Sequence, residues 1–457
     1  MTTRRKFLRN SALGAAVMAT LPTTVIARPA NNAQTQENSN LQVGIAREII
    51  TPPLGGLIAG YGSNQPSTEI HDELTVTALT LEYGNNKVLL MSAAVCLINN
   101  ALTAQLRALC GEAAGIPATN VILAVTHTHS GPVLNTEYCD NIFIPKCVAV
   151  AKASVQNLKP AKVGIGTTDS RVGINRRKLL PNDRVILSQN PWGALDPEMT
   201  VISFKDENGK TFANIVHYAA HPTAIGIGTI LSGDWPSVMV DRLDAETGGI
   251  TMFVQGMLGD IGPRLTNGED KGDIKLMREL GAIAAADAVR AYKDIRVFRD
   301  EDMSIVIGDV RLPHAPIMPL AEARAELARL DTVPSGRWTA GIRDNLTRII
   351  DLHERGETGE SFFTYHQTIV KIGPIVLIPV PFEVSCEVSL RLRAYSKYGH
   401  TLALGCTNGS NSYIVSKDQI ARGGYEVDMF LAIGPRQLTH NADMHLINQN
   451  LALIDRL

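Results

Sequence analysis

Apolar residues in this chain cluster into short runs that predict buried β-strands, and the longer segments between them predict helices. The predicted strands cover residues 74–83, 87–97, 120–125, 199–204, 211–218, 250–255, 364–370, 374–378 and 401–405. The predicted helices cover residues 101–114, 142–158, 238–246 and 273–292, with two more between 320 and 355. Because strands and helices alternate, we expect an α/β fold with a mixed β-sheet core flanked by helices.

Two turn sequences support this assignment. Residues 84–86 (Gly-Asn-Asn) separate the first two predicted strands, and residues 207–209 (Glu-Asn-Gly) separate two later ones. Asn and Gly tolerate the left-handed backbone of hairpin turns, so each pair of strands is predicted to form a β-hairpin. No internal repeat divides the sequence, and one large domain over residues 41–457 is the simplest organisation.

The composition adds few constraints, but it argues against some functions. The chain has 457 residues, 45% of them hydrophobic, and a formal net charge of −2. This is enough to bury a large core, and the near balance of charge gives no sign of a nucleic-acid-binding surface. The six cysteines lie far apart, several of them in apolar segments where they are expected to pack as small hydrophobic residues. Their spacing requires no disulfide.

Residues 1–27 have the pattern of a secretory signal. The pair Arg4-Arg5 precedes a moderately apolar run of small residues, which is typical of the twin-arginine route. A transmembrane anchor is the alternative, but the run falls short of the ~20 strongly apolar residues that a span needs. Residues 28–40 form a predicted flexible leader. We therefore expect recognition by the twin-arginine export machinery, a periplasmic or secreted location, and no membrane anchor after processing.

The polar residues that could carry chemistry follow the carboxyl ends of predicted strands, where the loops of an α/β sheet converge on ligands. His127 and His129 come directly after strand 120–125, and in extended backbone they would point to the same side. Zinc accepts neutral imidazole nitrogen at about 2.0–2.1 Å, so the pair is a candidate metal site. The alternatives are one ligand with one helper, or two polar loop histidines.

A second pair of histidines lies at the end of strand 211–218. Pro222 holds His221 in extended or turn geometry, so His221 is the better candidate for a site. His217 lies within the strand and is predicted to be buried and hydrogen-bonded. Two histidines seldom suffice for zinc, which usually takes three or more protein ligands.

Three acidic residues have open assignments. Glu383 follows an apolar strand, where an unpaired carboxylate would be costly. It is therefore either a candidate ligand or the salt-bridge partner of Arg391 or Arg393. Asp234 is a candidate cap for the helix that begins near residue 238, and Asp260 is a candidate turn former beside a glycine.

Taken in order, these segments resemble the catalytic domain of the neutral (neutral/alkaline), non-lysosomal ceramidases. Each matching piece is short, but their shared order makes the set far more specific than any one of them. The pieces are residues 126–132 (Thr-His-Thr-His-Ser-Gly-Pro), 174–176 (Ile-Asn-Arg), His221-Pro222, Ser232-Gly233-Asp234, Gln255, Gly259-Asp260, Pro263-Arg264, Pro381-Phe382-Glu383, Asn408, Tyr413 and Tyr425.

Carried over position by position, the resemblance implies a zinc-dependent hydrolase of a linear amide, ceramide or another N-acyl amine, acting through metal-activated water. It implies one Zn²⁺ per chain, with His127, His221, Glu383 and Tyr413 as ligands. The implied catalytic residues around the scissile amide are His129, Arg176 and Tyr425, and His129 is a candidate proton donor to the leaving amine. Asp234 and Asp260 fit roles in orienting a ligand or a hydrogen-bond donor.

The sequence departs from the family at Gly262. Ceramidases carry a serine important for activity at this position, between the Gly-Asp pair and the proline. The resemblance also covers the catalytic domain only, without the additional carboxy-terminal β domain of ceramidases. Two alternatives therefore stay open: a zinc hydrolase of a different amide or an ester, and a non-catalytic metal-containing binding protein.

Overall fold

The structure, a computed structural model, describes residues 40–61, 65–265, 272–333, 337–432 and 437–457. Apart from residue 40, the predicted signal at 1–27 and the predicted leader at 28–40 lie outside the described residues. The described residues belong to one unit, Asn38–Leu457. Within these ranges no helix combines the length and the apolar character needed to cross a bilayer.

These ranges contain both strands and helices. The strands are β1 (Gln42–Ile49), β2 (Glu69–Ile70), β3 (Thr75–Tyr83), β4 (Asn86–Ala93), β5 (Val121–Val125), β6 (Lys159–Pro160), β7 (Lys162–Asp169), β8 (Gly173–Asn175), β9 (Arg177–Leu179), β10 (Val185–Leu187), β11 (Glu198–Lys205), β12 (Thr211–Tyr218), β13 (Ile230–Leu231), β14 (Ile250–Gln255), β15 (Ile261–Pro263), β16 (Met303–Pro313), β17 (Phe362–Ile372), β18 (Ile375–Pro379), β19 (Glu383–Val384), β20 (His400–Leu404) and β21 (Tyr413–Ile414). The helices are α1 (Asn100–Ala114), α2 (Thr136–Tyr138), α3 (Ile144–Gln156), α4 (Trp235–Thr247), α5 (Ile274–Lys293), α6 (Leu320–Leu330), α7 (Arg337–Glu354), α8 (Cys386–Tyr395), α9 (Lys417–Ile420), α10 (Tyr425–Ala432) and α11 (Ala442–Ile454).

Three larger sheets form the framework of the described chain. Their strand orders are β5-β4-β3-β1-β6, β14-β12-β11-β7 and β16-β17-β18-β20. Each sheet contains both antiparallel pairs and one parallel pair, which are β4–β5, β12–β14 and β18–β20 respectively. The predicted class, an α/β fold with a mixed sheet core flanked by helices, is confirmed.

The three sheets share one core. Ile122, Ile215 and Leu377, one from each sheet, belong to a single buried cluster. Because successive side chains of a strand point to opposite faces, the neighbouring residues Val216 and Ile378 face the other way and pack against helices. A strand with apolar residues on both faces therefore appears in the sequence as a continuous apolar run. This is the pattern from which these strands were predicted.

Both predicted hairpins form, with small differences at their ends. In the first, Tyr83 pairs with Asn86 across the turn; in the second, Lys205 pairs with Thr211. The prediction that the strand after the first turn reaches residue 97 is wrong, because β4 ends at Ala93 and the backbone then bends. All six cysteines are free and buried.

Candidate active site

The site lies where loops leave the carboxyl ends of the parallel strands. His127 follows β5, His221 follows β12 and Glu383 follows β18. The three parallel pairs place these strand ends at neighbouring edges of the three sheets, so side chains distant in sequence meet in space.

His127 is held by the backbone of the bend after β4. It has a φ of 66°, a left-handed conformation that histidine adopts more readily than most residues. Its Nδ1 lies 2.8 Å from the carbonyl oxygen of Cys96. A carbonyl can only accept, so Nδ1 carries a proton and Nε2 is the nitrogen that faces the site. Burial would lower the pKa of His127, but Cys406 and Glu383 outweigh it and raise that pKa well above its usual value.

His221 is held in the same way by a different loop. Its Nδ1 donates to the carbonyl oxygen of Ile261 at 2.8 Å, which leaves the Nε2 lone pair facing inward. Burial, and then the positive charge of Arg176, lower the pKa of His221 to about 4, so the ring is neutral near pH 7. A neutral imidazole with its Nδ1 proton fixed is the form that binds a metal.

Glu383 completes a group of three converging ligand atoms. Its Oε2 lies 3.2 Å from Nε2 of His221 and 3.5 Å from Nε2 of His127. Burial alone would raise the pKa of Glu383, but His127 and His221 outweigh it and hold that pKa well below its usual range. Two imidazole nitrogens and a carboxylate this close need a cation or protons between them, and all three ligand atoms lie within 4.8 Å of one another. Two imidazoles and a carboxylate therefore fit a zinc-type ion.

The alternative assignment of Glu383 to a salt bridge with Arg391 or Arg393 is wrong. Arg393 binds Asp196 and Glu198, each at 2.9 Å, on another part of the surface. Arg391 pairs with Asp443 at 3.3 Å.

Tyr413 lies beside Glu383 because β19 and β21 pair in parallel with these two residues in register. Burial, and then the charge of its hydrogen-bond partner Glu383, raise the pKa of Tyr413 well above its usual value. Its hydroxyl oxygen accepts a hydrogen bond from Nη2 of Arg176 at 3.1 Å. This places the phenol next to the three converging ligand atoms, and its direct binding to a metal stays a prediction.

Arg176 is held by Glu426 and Asp260 in addition to its contact with Tyr413. Its Nε donates to Oε1 of Glu426 at 2.7 Å, and its backbone N–H donates to the carbonyl oxygen of Asp260 at 2.9 Å. Glu426 also accepts from Nη1 of Arg177 at 2.6 Å, so one buried carboxylate holds two neighbouring arginines. Sequence reasoning missed Glu426. The adjacent arginine pair was the available signal, since two buried guanidinium groups require a nearby anion.

His129 and Tyr425 flank this group. Nε2 of His129 lies 3.3 Å from Nε2 of His127, and its ring packs edge-on against Tyr61 with centroids 4.9 Å apart. Burial, followed by His127 and His221, holds the pKa of His129 well below its usual range, so the resting ring is neutral. The Tyr425 ring packs edge-on against Tyr413 at 5.9 Å. The structure thus brings together all seven residues predicted for the metal and the reaction.

Gly60 makes room for His129. A Cβ on Gly60 would lie 2.6 Å from the His129 ring, and Gly60 has a φ of 102°, which side chains avoid. A larger residue here would displace the imidazole.

The two aspartates support neighbouring loops. Asp234 caps α4 by accepting from the Trp235 N–H at 2.7 Å, and it also accepts from the Ala224 and Ile225 N–H groups. Asp260 accepts from the Cys386 N–H at 2.7 Å. Burial raises the pKa of each carboxyl to about 6. Asp234 therefore orders the loop that follows His221, and Asp260 orders the backbone that follows Glu383.

Four of the seven residues predicted for the metal and the reaction line a cleft of about 650 Å³. Its polar wall includes His129, Arg176, Tyr413 and Tyr425, and its apolar wall is formed by Ile174, Leu187, Ile227, Pro263 and Leu265. Ile227 and Leu187 are 76% and 49% exposed, so the mouth of the cleft carries apolar side chains open to solvent.

Comparison with known proteins finds partial similarity in sequence and a shared fold. No family model matches the chain. The neutral ceramidase of Pseudomonas aeruginosa is 25% identical over 184 residues, a match that spans 35% of this chain and only 28% of that protein. A crystal structure of neutral ceramidase from P. aeruginosa superposes with a TM-score of 0.71 at 19% identity, covering 92% of this chain and 75% of that one. The chain resembles neutral ceramidase in sequence over those 184 residues and shares its fold.

A second solved structure supports the same fold. A ceramidase complexed with C2 superposes on this chain with a TM-score of 0.66 at 18% identity, covering 92% of this chain and 76% of that one. At these identities the superpositions establish the fold. The resemblance predicted from the short motifs is thereby confirmed.

Proposed function

We propose that this chain is a zinc-dependent hydrolase of an N-acyl amine, with ceramide as one candidate substrate. The observation that carries the proposal is the convergence of His127, His221 and Glu383, with both Nδ1 atoms tied to backbone carbonyls. The fixed cation of Arg176 lies beside this group and lines the same cleft. A metal kept only for structure would require no such cation in an open cleft.

In this proposal His127, His221, Glu383 and Tyr413 hold one Zn²⁺, which when bound supplies a water with a pKa near ~7. Arg176 donates to the amide oxygen as negative charge develops on it, and Glu426 keeps the guanidinium in place for this task.

Two further residues of the cleft act on the substrate. Tyr425 lines the wall beside Tyr413 and offers a hydroxyl to the same region. His129 lines the cleft with its Nε2 3.3 Å from Nε2 of His127, so it lies where it can pass a proton to the leaving nitrogen.

The apolar mouth of the cleft favours an acyl chain as part of the substrate. Ile227 and Leu187 would cover methylene groups, each worth about 0.8 kcal/mol when buried. The value of kcat/KM should therefore rise with the length of the acyl chain until the chain is longer than the cleft.

Gly262 favours a second candidate, the hydrolysis of a different amide or an ester. It lines the same cleft without a side chain, where ceramidases carry a serine. A substrate therefore finds no hydroxyl to hydrogen-bond with at this position, and the space that a serine side chain would fill is open to it.

One experiment tests the proposal. Bound metal is measured in the purified protein, and hydrolysis is followed for a panel of N-acyl amines and matched esters. His127→Ala and Tyr413→Phe are compared with His366→Ala, a control on an exposed histidine that pairs with Asp309. We expect the first two to lose metal or turnover and the control to keep both.

Two outcomes would overturn the proposal. Zinc bound without turnover of any acyl amide or ester would favour the non-catalytic binding protein. Full turnover by His127→Ala would remove the metal mechanism.

We also propose export through the twin-arginine route. That route carries folded proteins, which suits an enzyme that binds its metal before crossing. Replacing Arg4-Arg5 with Lys-Lys should retain the protein inside the cell, and unchanged export would contradict the proposal.

A further inference from the structure

Gln255, the last residue of β14, joins the two loops that carry the histidines. Its side chain is fully buried, with 0% of its surface exposed. Its Nε2 donates to the carbonyl oxygen of Thr126 at 2.9 Å and to that of Ala220 at 3.1 Å. Its Oε1 accepts from the Ala220 N–H at 3.3 Å. Every hydrogen-bonding group of this amide is thus spent on the backbone of the two loops.

The positions of these contacts are specific. Thr126 directly precedes His127 and follows β5, the edge strand of the first sheet. Ala220 directly precedes His221 and follows β12 of the second sheet. β14 pairs with β12 but not with β5, so this side chain supplies a connection that the sheet ladders do not.

The backbone of Gln255 adds a link to the third sheet. Its carbonyl oxygen accepts from the Gly405 N–H at 3.0 Å, directly after β20. One residue therefore contacts all three sheets at the edge where the site is built.

A primary amide is the one side chain that fits this position. It offers two N–H donors to two carbonyls and an acceptor to one N–H. A glutamate would set a carboxylate against two carbonyl oxygens, and a methionine of similar length would leave all three backbone groups unpaired in the interior.

We propose that Gln255 is a positioning residue that fixes the separation of His127 and His221, and through it the affinity and geometry of the metal site. The inference rests on the proposed function, because it requires that these histidines bind a metal. Loss of residues that orient ligands typically weakens metal binding by about 10–100-fold.

The test compares Gln255→Met and Gln255→Asn with the matched control Asn214→Leu. Asn214 is a fully buried amide on β12, and its Nδ2 donates to the hydroxyls of Thr247 and Thr251, away from the histidine loops. Three properties are measured: zinc affinity by chelator competition, the visible absorption spectrum of the Co²⁺-substituted protein, and the thermal stability of the metal-free protein.

We expect Gln255→Met to bind zinc about 10–100-fold more weakly and to change the Co²⁺ spectrum. Gln255→Asn keeps the amide but shortens its reach, so it should fall between the wild type and Gln255→Met, and it serves as the folded variant if methionine prevents folding. Asn214→Leu should lose stability while its zinc affinity and spectrum stay as in the wild type.

The inference is overturned if both Gln255 variants keep wild-type zinc affinity and spectrum, or if Asn214→Leu alters them equally. Failure of the proposed function looks different: the wild-type protein would then either bind no zinc, or bind zinc without hydrolysing any acyl amide or ester.

Discussion

Glu426 offers the sharpest perturbation, because two arginines depend on one buried carboxylate. Its side chain is 1% exposed and lies 2.7 Å from Nε of Arg176 and 2.6 Å from Nη1 of Arg177. Burial would raise the pKa of Glu426, but the two guanidinium groups outweigh it and lower that pKa. Glu426→Gln keeps the size of the side chain, removes the negative charge and turns an NH₂ donor towards a guanidinium.

The expected magnitude follows from burial. Removing one partner of a buried ion pair costs about 3–5 kcal/mol. At about 2.1 cal/mol/K per residue, the roughly 420 residues of the unit Asn38–Leu457 have an unfolding entropy near 0.9 kcal/mol/K. The midpoint of thermal unfolding should therefore fall by about 3–6 °C. If the Arg176 guanidinium also moves from its position, kcat should fall by a factor of about 10²–10³. This is the usual effect of removing one hydrogen-bond donor to a developing oxyanion.

The assay combines calorimetry of the metal-loaded protein, metal analysis and steady-state kinetics on the best substrate of the panel. Metal content should stay unchanged, since Glu426 is not among the ligands. Glu354→Gln is the matched control, because Glu354 pairs with Arg324 at 2.9 Å in a pair that is more than half exposed on both sides. That change should shift stability by about 0.5 kcal/mol or less. Wild-type melting and kcat in Glu426→Gln would refute the reasoning.

Three further outcomes are expected. In the metal-free protein, the free energy of unfolding of the wild type relative to Asp234→Asn should fall by about 2 kcal/mol between pH 4 and 7. The folded-state pKa of Asp234 is about 6 and the unfolded value is 3.8, so the buried carboxyl must lose its proton as the pH rises. Urea titrations without this trend would contradict it. Gly262→Ser should fold normally, because a Cβ at this position would lie 3.5 Å from the Cβ of Arg176, an ordinary van der Waals contact. The variant should have a higher ratio of ceramide to ester turnover than the wild type. A lower ratio would contradict the role assigned to this position. Removing the metal with a chelator should lower the melting temperature of the wild type but not that of His221→Ala. An ion at 100 times its Kd stabilises the folded wild-type protein by about 2.7 kcal/mol. Equal shifts in the two proteins would mean that the ion binds elsewhere.

The strands that sequence predicted best are those buried on both faces, such as β5 and β18, whose apolar runs have no gaps. β7 escaped prediction because Gly164 and Gly166 interrupt its pattern. The structure shows why those glycines are there, since a Cβ on Gly166 would lie 2.0 Å from the carbonyl oxygen of Ala291 in α5. Close helix packing therefore removed the side chains that would have revealed the strand.

The site was predictable to the extent that side chains carry it. His127, His221 and Glu383 follow strand ends, but it was the resemblance to the ceramidases that selected these three as ligands, and the structure brings them together. The carbonyls of Cys96 and Ile261, which set the tautomer of each histidine, could not be predicted, because backbone acceptors leave no mark in a sequence. Their placement depends on where β4 ends and on how the loop after β14 turns.

The central claim is that His127, His221 and Glu383 bind one divalent ion. A crystal structure of the zinc-loaded protein, with anomalous data collected on both sides of the zinc absorption edge, tests it most directly. We predict one peak about 2.0–2.2 Å from Nε2 of both histidines and from the Glu383 carboxylate. A zinc peak bound by His129 in place of His127, or the lack of any peak between these residues in zinc-loaded crystals, would contradict the account.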